Sequence, residues 1–198
     1  LPGEDGDGPL QRLVLAVHEA NAEIHALSQS DARRAGMGTT LMAAHVGADS
    51  VSLAHVGDSR AYRLRAGRLE RLTEDHSLVS ELVRSGRLSE EEAEEHPQRS
   101  IITRALGPEP QVEIDTLTVR AQHGDVYLLC SDGLTAMVSE ARIGEIMRDA
   151  GGLGEAGRAL VAAANEAGGR DNVSALLVQV GTPQSPGWAA RLVRRLGI

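Results

Sequence analysis

The sequence predicts an α+β domain that combines amphipathic helices with short antiparallel strands. Short runs rich in β-branched and aliphatic residues recur along the chain and are bounded by glycine, which is typical of strands joined by tight turns. Stretches with apolar residues at helical spacing lie before and after these runs. At 198 residues, the chain is long enough for one domain with a substantial core.

The first part of the chain predicts one long helix followed by four strands. Residues 1–9 are acidic and rich in Gly and Pro, so we predict a mobile loop there. Residues 10–27 follow helical spacing, with an apolar stripe of Leu10, Leu13, Val14, Val17, Ile24 and Leu27. Strands are predicted at residues 41–46, 51–56, 61–64 and 69–72. Gly67 closes the hairpin between the last two.

The middle of the chain predicts two short helices. Residues 75–77 open the first. Ser89 and Glu92 have the spacing of a capping box and start a second, acidic helix, which must end before Pro97. A helix of this kind is a solvated lid or, alternatively, a substrate contact. Residues 101–107 are predicted to return the chain to the core.

The last part of the chain predicts two strands, two helices and a tail. A strand at residues 112–119 is predicted to pair with residues 125–130 across a turn at His123-Gly124. Two amphipathic helices and a final strand are predicted around residues 143–147, 160–167 and 173–180. Residues 182–198 form a linker and a basic amphipathic tail, which docks on the domain or, alternatively, on a membrane surface or a partner.

The composition excludes several classes of function. A net charge of −8, one Trp, two Tyr and no Phe leave neither a basic groove nor aromatic platforms, so no nucleic-acid partner is expected. All 20 basic residues are Arg, which excludes lysine-dependent phosphate loops and Schiff-base chemistry. Cys130 is the only cysteine, which indicates a reducing compartment and a cytoplasmic location. No apolar run approaches the ~18 residues of a membrane span.

Three aspartates lie beside glycine at the edges of apolar runs, namely Asp58, Asp132 and Asp171. Asp132 follows a predicted buried strand, residues 126–130, so its carboxylate points off the end of a sheet. Taken alone, it also fits a cap for a helix near Ser139 or a brace for the turn. Crowded carboxylates repel one another unless a cation offsets their charge, and their hard oxygens suit Mg²⁺ or Mn²⁺. We therefore predict a divalent-metal site that activates water for hydrolysis.

Other candidate motifs are interpreted as structural. The Gly-X-Gly-Thr-Thr stretch at residues 36–40 follows a helix, opens a strand and has no Lys, unlike a phosphate-binding loop. Cys130 lacks the downstream Arg of a phosphate-binding cysteine loop, so it is predicted to be a buried strand residue. Arg104 is a candidate for an ion pair or for a phosphate contact, and we favour the ion pair.

Six motifs occur in a fixed order along residues 10–181. They are Gly-Met-Gly-Thr-Thr (36–40), Val-Gly-Asp-Ser-Arg-Ala-Tyr (56–62), Glu-Asp-His-Ser-Leu-Val (74–79), Thr-Arg-Ala-Leu-Gly (103–107), Leu-Cys-Ser-Asp-Gly-Leu (129–134) and Gly-Arg-Asp-Asn-Val-Ser (169–174). In this order they resemble the motifs of the metal-dependent type 2C serine/threonine protein phosphatases, the PPM family, in its short bacterial form.

The resemblance implies a four-layer α-β-β-α sandwich of two mainly antiparallel sheets flanked by helices, formed by residues 10–181. It also implies two or three Mg²⁺ or Mn²⁺ ions and direct attack of water on the phosphorus. By position, Asp132 and Asp171 match ligands of the first metal, Asp58 together with Asp132 matches a third site, and residues 77–107 match a flap beside the site. The residues that match the surroundings of these ligands or the flap are Gly57, Ser59, Asp75, His76, Gly133 and Asn172.

The chain departs from the family pattern in its N-terminal motifs. Family members carry Arg-X-X-Asn-Glu-Asp and Asp-Gly-X-Gly-Gly stretches before the helix that here starts near Leu10. These stretches supply the phosphate-binding Arg, an Asp that bridges both metals, and core strands. Neither stretch occurs in the 198 residues. We therefore expect the chain to be a fragment of a longer phosphatase that lacks the N-terminal strands and is inactive by itself.

The function implied is metal-dependent hydrolysis of phosphoserine and phosphothreonine in proteins, in opposition to a serine/threonine kinase. The expected partners are therefore phosphorylated proteins, including a kinase. The alternative is a non-catalytic, phosphatase-like module that uses the flap and the sheets for protein contacts. A variant within the family resets anti-sigma-factor antagonists, but the Asp-Asn and Ser-Asp-Gly motifs favour the kinase-opposing branch.

Overall fold

The computed structural model describes residues 8–181, which form four layers. The helices are α1 (Pro9–Ser30), α2 (Leu78–Arg84), α3 (Glu90–Glu94), α4 (Asp132–Thr135), α5 (Glu140–Asp149) and α6 (Leu153–Glu166). The strands are β1 (Leu41–Val46), β2 (Ser50–Val56), β3 (Arg60–Arg65), β4 (Arg68–Arg71), β5 (Asp115–Arg120), β6 (Val126–Cys130) and β7 (Ala175–Gln179). Residues 1–7 of the predicted loop at residues 1–9 lie outside this range. The predicted linker and tail, residues 182–198, lie outside it as well.

Helix α1 packs one face on a sheet, as its apolar stripe predicts. Pro9 occupies the first turn, where its missing N–H costs nothing, and the Gln11 side chain accepts a hydrogen bond from the Gly8 amide at 2.8 Å. The stripe is not wholly buried, because Leu27 is 43% exposed. The buried face instead includes the polar residues Asn21 and Ser28.

The strands form two antiparallel sheets. The first has the order β1-β2-β5 and the second has the order β4-β3-β6-β7. Strand β6 lies in the interior of its sheet, where both faces are covered. Tyr127 and Leu129 face the other sheet, while Leu128 and Cys130 face the helices. A strand buried on both faces is a continuous apolar run, which is why this segment was recognisable in the sequence.

The predicted pairing of residues 112–119 with residues 125–130 is wrong. Strand β5 covers only Asp115–Arg120 and pairs with β2, so that Leu117 lies opposite Leu53. Strand β6 pairs with β3 and β7 instead. The connection between β5 and β6 therefore crosses from one sheet to the other. A side-chain alternation like that of β5 fits an edge strand with one covered face, and it does not specify which sheet the strand joins.

Three core clusters fill the spaces between the four layers. Val17 of α1 packs against Ala54 and Val56 of the first sheet. Residues of both sheets meet in a central cluster, and the second sheet packs against α4, α5 and α6 through residues such as Tyr62 and Leu160. The predicted four-layer α-β-β-α sandwich is confirmed.

The segment between β4 and β5 is fixed to the sandwich near both of its ends. At its start, the Ser77 hydroxyl caps α2. The predicted capping box at Ser89 and Glu92 is present in α3. Near its end, the buried Asn21 accepts a hydrogen bond from the Gly107 amide at 2.8 Å. Only part of residues 101–107 returns to the core, because Leu106 is buried whereas Ile101 and its neighbour at position 102 are exposed.

A buried ion pair connects the two sheets at one end of the sandwich. The Arg65 guanidinium donates to both carboxylate oxygens of Asp125, at 2.7 and 2.6 Å, and to the Arg120 carbonyl at 2.8 Å. The hydrogen bonds from Arg65 lower the pKa of Asp125 below its ordinary value.

This pair predicts a dependence of stability on pH. A carboxyl whose pKa is lowered by folding stabilises the fold fully above its unfolded pKa of about 3.9 and loses that contribution as the pH falls. We therefore expect Asp125→Asn to lower the free energy of unfolding at pH 7 and to lower it less below pH 4. Urea denaturation of both proteins at the two pH values measures this. If Asp125→Asn lowers the free energy of unfolding by the same amount at both pH values, the ionised pair contributes nothing to stability.

Candidate metal centre

Three loops that carry the predicted metal ligands leave the second sheet at the same end. The register places Arg60 opposite Cys130, and Cys130 opposite Ala175. The turn before β3, the loop after β6 and the loop before β7 are therefore neighbours. They contain Asp58, Asp132 and Asp171, respectively.

The turn that carries Asp58 depends on a glycine. Gly57 has φ 112°, a conformation that residues with a Cβ rarely adopt, and a Cβ there would lie 2.4 Å from Cγ2 of Thr40. The Ser59 hydroxyl lies 3.2 Å from the Thr40 hydroxyl. The Gly-X-Gly-Thr-Thr stretch thus packs against the Asp58 turn, which agrees with its interpretation as a structural element.

The loops of Asp132 and Asp171 are in direct backbone contact. A Cβ on Gly133 would lie 2.2 Å from the carbonyl oxygen of Asn172, so only glycine permits this approach. Ser131 also joins the two loops, because its hydroxyl donates to the Asn172 carbonyl at 3.2 Å and accepts from the Ser174 amide at 3.1 Å. Asp132 is the first residue of α4, and Ser139 itself caps α5, so Asp132 does not cap that helix.

The carboxylates of Asp58 and Asp132 interact electrostatically. The pKa of Asp58 is raised, first because the group is partly buried and second because Asp132 carries a like charge. A divalent cation between them would offset this repulsion. Asp132 and Asp171 are exposed, and Asp171 accepts a hydrogen bond from the Asn172 amide at 2.7 Å. Across residues 8–181, no three His, Cys, Asp or Glu side chains lie close enough together to hold a metal ion.

Asp75 lies near the Asp58 turn in a cluster of charged side chains. Arg60 donates to both of its oxygens, with Nη2 at 2.7 Å from Oδ2, and Arg71 donates to Oδ1 at 2.6 Å. The Asp75 side chain is 10% exposed. Two cations thus share one buried carboxylate. Asp75, two residues before the 77–107 segment, is thereby joined to Arg60, two residues after Asp58.

His76 contacts the same turn through both its ring and its backbone. Its Nδ1 accepts a hydrogen bond from the Gly57 amide at 3.0 Å, and its own amide donates to the Gly57 carbonyl at 2.9 Å. Burial lowers the pKa of His76, so the ring is neutral at pH 7. Arg104 lies beside the ring and forms ion pairs with Glu113 at 3.0 Å and Asp115 at 2.6 Å. The ion-pair interpretation of Arg104 is confirmed.

Cys130 is 4% exposed, and its burial raises the pKa of the thiol to about 12. The prediction that it is a buried strand residue is confirmed, and a thiol in this state is no nucleophile.

Sequence reasoning missed three contributors to this region, namely Ser131, Arg60 and Arg71. Ser131 and Arg60 lie inside the quoted motifs, beside the aspartates, so their position next to a predicted ligand was an available signal. Arg71 lies in an edge strand and carries no comparable signal in the sequence.

Two comparisons place the chain among known proteins. A sequence model of the protein phosphatase 2C family matches residues 6–177. The serine/threonine phosphatase stp of Listeria monocytogenes is 48% identical over 167 residues, which cover 84% of this chain and 66% of that protein. The chain therefore spans just under two thirds of that relative's length.

Solved structures show the same fold. The crystal structure of the Mycobacterium tuberculosis serine/threonine phosphatase PstP/Ppp superposes with a TM-score of 0.85 at 39% identity, covering 91% of this chain and 76% of that one. The PstP catalytic domain in complex with two manganese ions superposes with a TM-score of 0.79 at 37% identity, covering 90% of this chain and 73% of that one. The chain belongs to the protein phosphatase 2C family.

Proposed function

We propose that this domain hydrolyses phosphoserine and phosphothreonine in proteins with the aid of Mg²⁺ or Mn²⁺. The observation that carries the proposal is the meeting of the Asp58, Asp132 and Asp171 loops at one end of a phosphatase 2C sandwich. The relatives named serine/threonine phosphatase support the reaction, and the PstP structure with two manganese ions supports the choice of metal.

Each of the three aspartates would be a ligand of one or two of the ions. Asp132 and Asp171 would hold the first metal, and Asp58 with Asp132 a further one, so that Asp132 serves two sites. When bound, the ions supply a nucleophilic water at neutral pH and offset the charge that develops on the phosphate. Gly133 and Ser131 keep the Asp132 and Asp171 loops together, while Asp75 and His76 support the Asp58 turn. The chain thus contributes three carboxylates on neighbouring loops.

The substrates would be phosphorylated proteins, and the opposing enzyme a serine/threonine kinase. No helix within residues 8–181 has both the length and the apolar character needed to cross a membrane. We place the domain in the cytoplasm, because its single cysteine is buried and free, as expected in a reducing compartment.

Mn²⁺ binding tests the proposal directly. A ligand that binds only the native state stabilises it by about 2.7 kcal/mol when present at a hundred times its dissociation constant. We expect Mn²⁺ to raise the thermal unfolding midpoint of the wild-type chain, and we expect Asp132→Asn to remove more of this effect than Asp58→Asn or Asp171→Asn.

The matched control is Asp149→Asn, at the exposed end of α5 and remote from the three loops. This variant should respond to Mn²⁺ as the wild type does. Equal stabilisation of the wild type and Asp132→Asn by Mn²⁺ would contradict the assignment.

A further inference from the structure

His76 occupies a buried position between three separate parts of the chain. Its ring is 4% exposed and stacks on His55, with the ring centroids 4.6 Å apart. Nδ1 faces the Gly57 amide, while Nε2 lies 3.3 Å from Oδ2 of Asp115 and 3.1 Å from Nη1 of Arg104. This ring is not among the proposed metal ligands and is not part of the charge cluster around Asp75.

The hydrogen-bond pattern fixes the state of the ring. A backbone amide can only donate, so Nδ1 must accept from Gly57 and carries no proton. In the neutral ring the proton therefore lies on Nε2, where the Asp115 carboxylate accepts it. Asp115 also accepts from Arg104 at 2.6 Å, so the carboxylate holds the ring and the guanidinium together.

The backbone of His76 adds two more contacts. Its amide donates to the Gly57 carbonyl at 2.9 Å, and its carbonyl accepts from the Thr103 amide at 2.8 Å. The residue before Asp58 is thus bonded to His76 through both its amide and its carbonyl. Thr103 and Arg104 come from the far end of the 77–107 segment, so this one residue joins both ends of the segment to the Asp58 turn.

The Gly57 amide has little access to a substitute partner. Gly57 is buried, and its amide donates to the ring of His76. A buried amide without an acceptor is unfavourable, so loss of Nδ1 favours a shift of the turn toward water. Asp58 is the next residue, and its carboxylate would move with that shift.

We propose that His76 is a positioning residue that fixes the conformation of the Asp58 turn and links this turn to the 77–107 segment. This role rests on the metal-dependent function proposed above. The positioning role requires the acceptor at Nδ1 more than the donor at Nε2. Of the two ring nitrogens, only Nδ1 contacts the turn that carries Asp58.

Two substitutions separate the two ring nitrogens. The amide oxygen of Asn stands as many bonds from Cα as Nδ1 does, so His76→Asn keeps an acceptor for the Gly57 amide. The amide nitrogen of Gln reaches about as far as Nε2, so His76→Gln keeps the donor to Asp115 and loses that acceptor. Asp125→Asn, at the other end of the sandwich, controls for general loss of stability.

The experiment measures hydrogen exchange of the Gly57 amide by NMR and the midpoint of a Mn²⁺ titration, at a temperature where every variant is folded. We expect His76→Gln to speed exchange and raise the Mn²⁺ midpoint, each about tenfold, which is the scale of one lost hydrogen bond. His76→Asn and Asp125→Asn should stay close to the wild type in both measurements.

Three outcomes would overturn the proposal. Equal exchange in the wild type, His76→Asn and His76→Gln would show that the ring does not hold the turn. Faster exchange in His76→Gln with an unchanged Mn²⁺ midpoint would show that the turn does not position a ligand, while the proposed function would stand. No Mn²⁺ binding by the wild type would overturn the metal site itself, and the role of His76 with it.

Discussion

Residues 1–198 alone are expected to release no detectable phosphate from a phosphothreonine peptide in the presence of Mn²⁺. The sequence contains no match to the family's Arg-X-X-Asn-Glu-Asp stretch, which holds the phosphate and bridges the metals in the members that the chain resembles. Loss of one partner of the transition-state charge costs ~2.7–4 kcal/mol, by analogy with oxyanion donors. Two such losses amount to roughly four to six decades in rate.

The control is a longer chain in which a family segment bearing both N-terminal motifs precedes Leu1. Activity should return in this chain and should require Mn²⁺. Phosphate release is measured for both chains at equal concentration. Turnover by residues 1–198 that disappears in Asp171→Ala would show that the chain's own residues supply what we assign to the N-terminal motifs.

Replacing Asp75 by alanine is expected to destabilise the fold by about 3–5 kcal/mol, the usual cost of removing one partner from a buried ion pair. The change leaves the guanidinium groups of Arg60 and Arg71 facing each other without their shared carboxylate. The free energy of unfolding, from urea denaturation, measures the loss.

The neighbouring residue offers a matched control. Glu74 forms an ion pair with Arg84 at 3.6 Å, in which the two side chains are 78% and 58% exposed. Surface pairs of this kind contribute about 0–1 kcal/mol, so Glu74→Ala should change stability by no more than that. A loss in Asp75→Ala as small as in Glu74→Ala would contradict the structural role of the cluster.

The sequence was sufficient to predict most elements of this fold, because their signals are local. Residues 41–46 form a strand with the predicted bounds, and the capping box at Ser89 starts a helix as expected. The pairing of β5 was not predictable in the same way. The sheet that β5 joins depends in part on Leu53 and its neighbours in β2, which are distant in the sequence.

The candidate metal centre shows the same difference between local signals, which the sequence reveals, and long-range contacts, which it does not. The motifs locate Asp58, Asp132 and Asp171, because each lies beside a glycine at the end of an apolar run. The contacts that hold these loops are long-range: Ser131 bonds to the loop of Asp171, and His76 bonds to Gly57. Such pairs are set by the tertiary arrangement of loops, so no local pattern in the sequence indicates them.

The most direct test of the central claim is phosphate release from a phosphothreonine peptide by the longer chain that carries the N-terminal motifs. It compares the wild type, Asp132→Asn and the remote control Asp149→Asn across a Mn²⁺ titration. The account predicts Mn²⁺-dependent release by the wild type and Asp149→Asn, and a loss of about a hundredfold to a thousandfold in Asp132→Asn, comparable to removal of one strong electrostatic contributor. Release that needs no divalent metal, or that persists in Asp132→Asn, would contradict it.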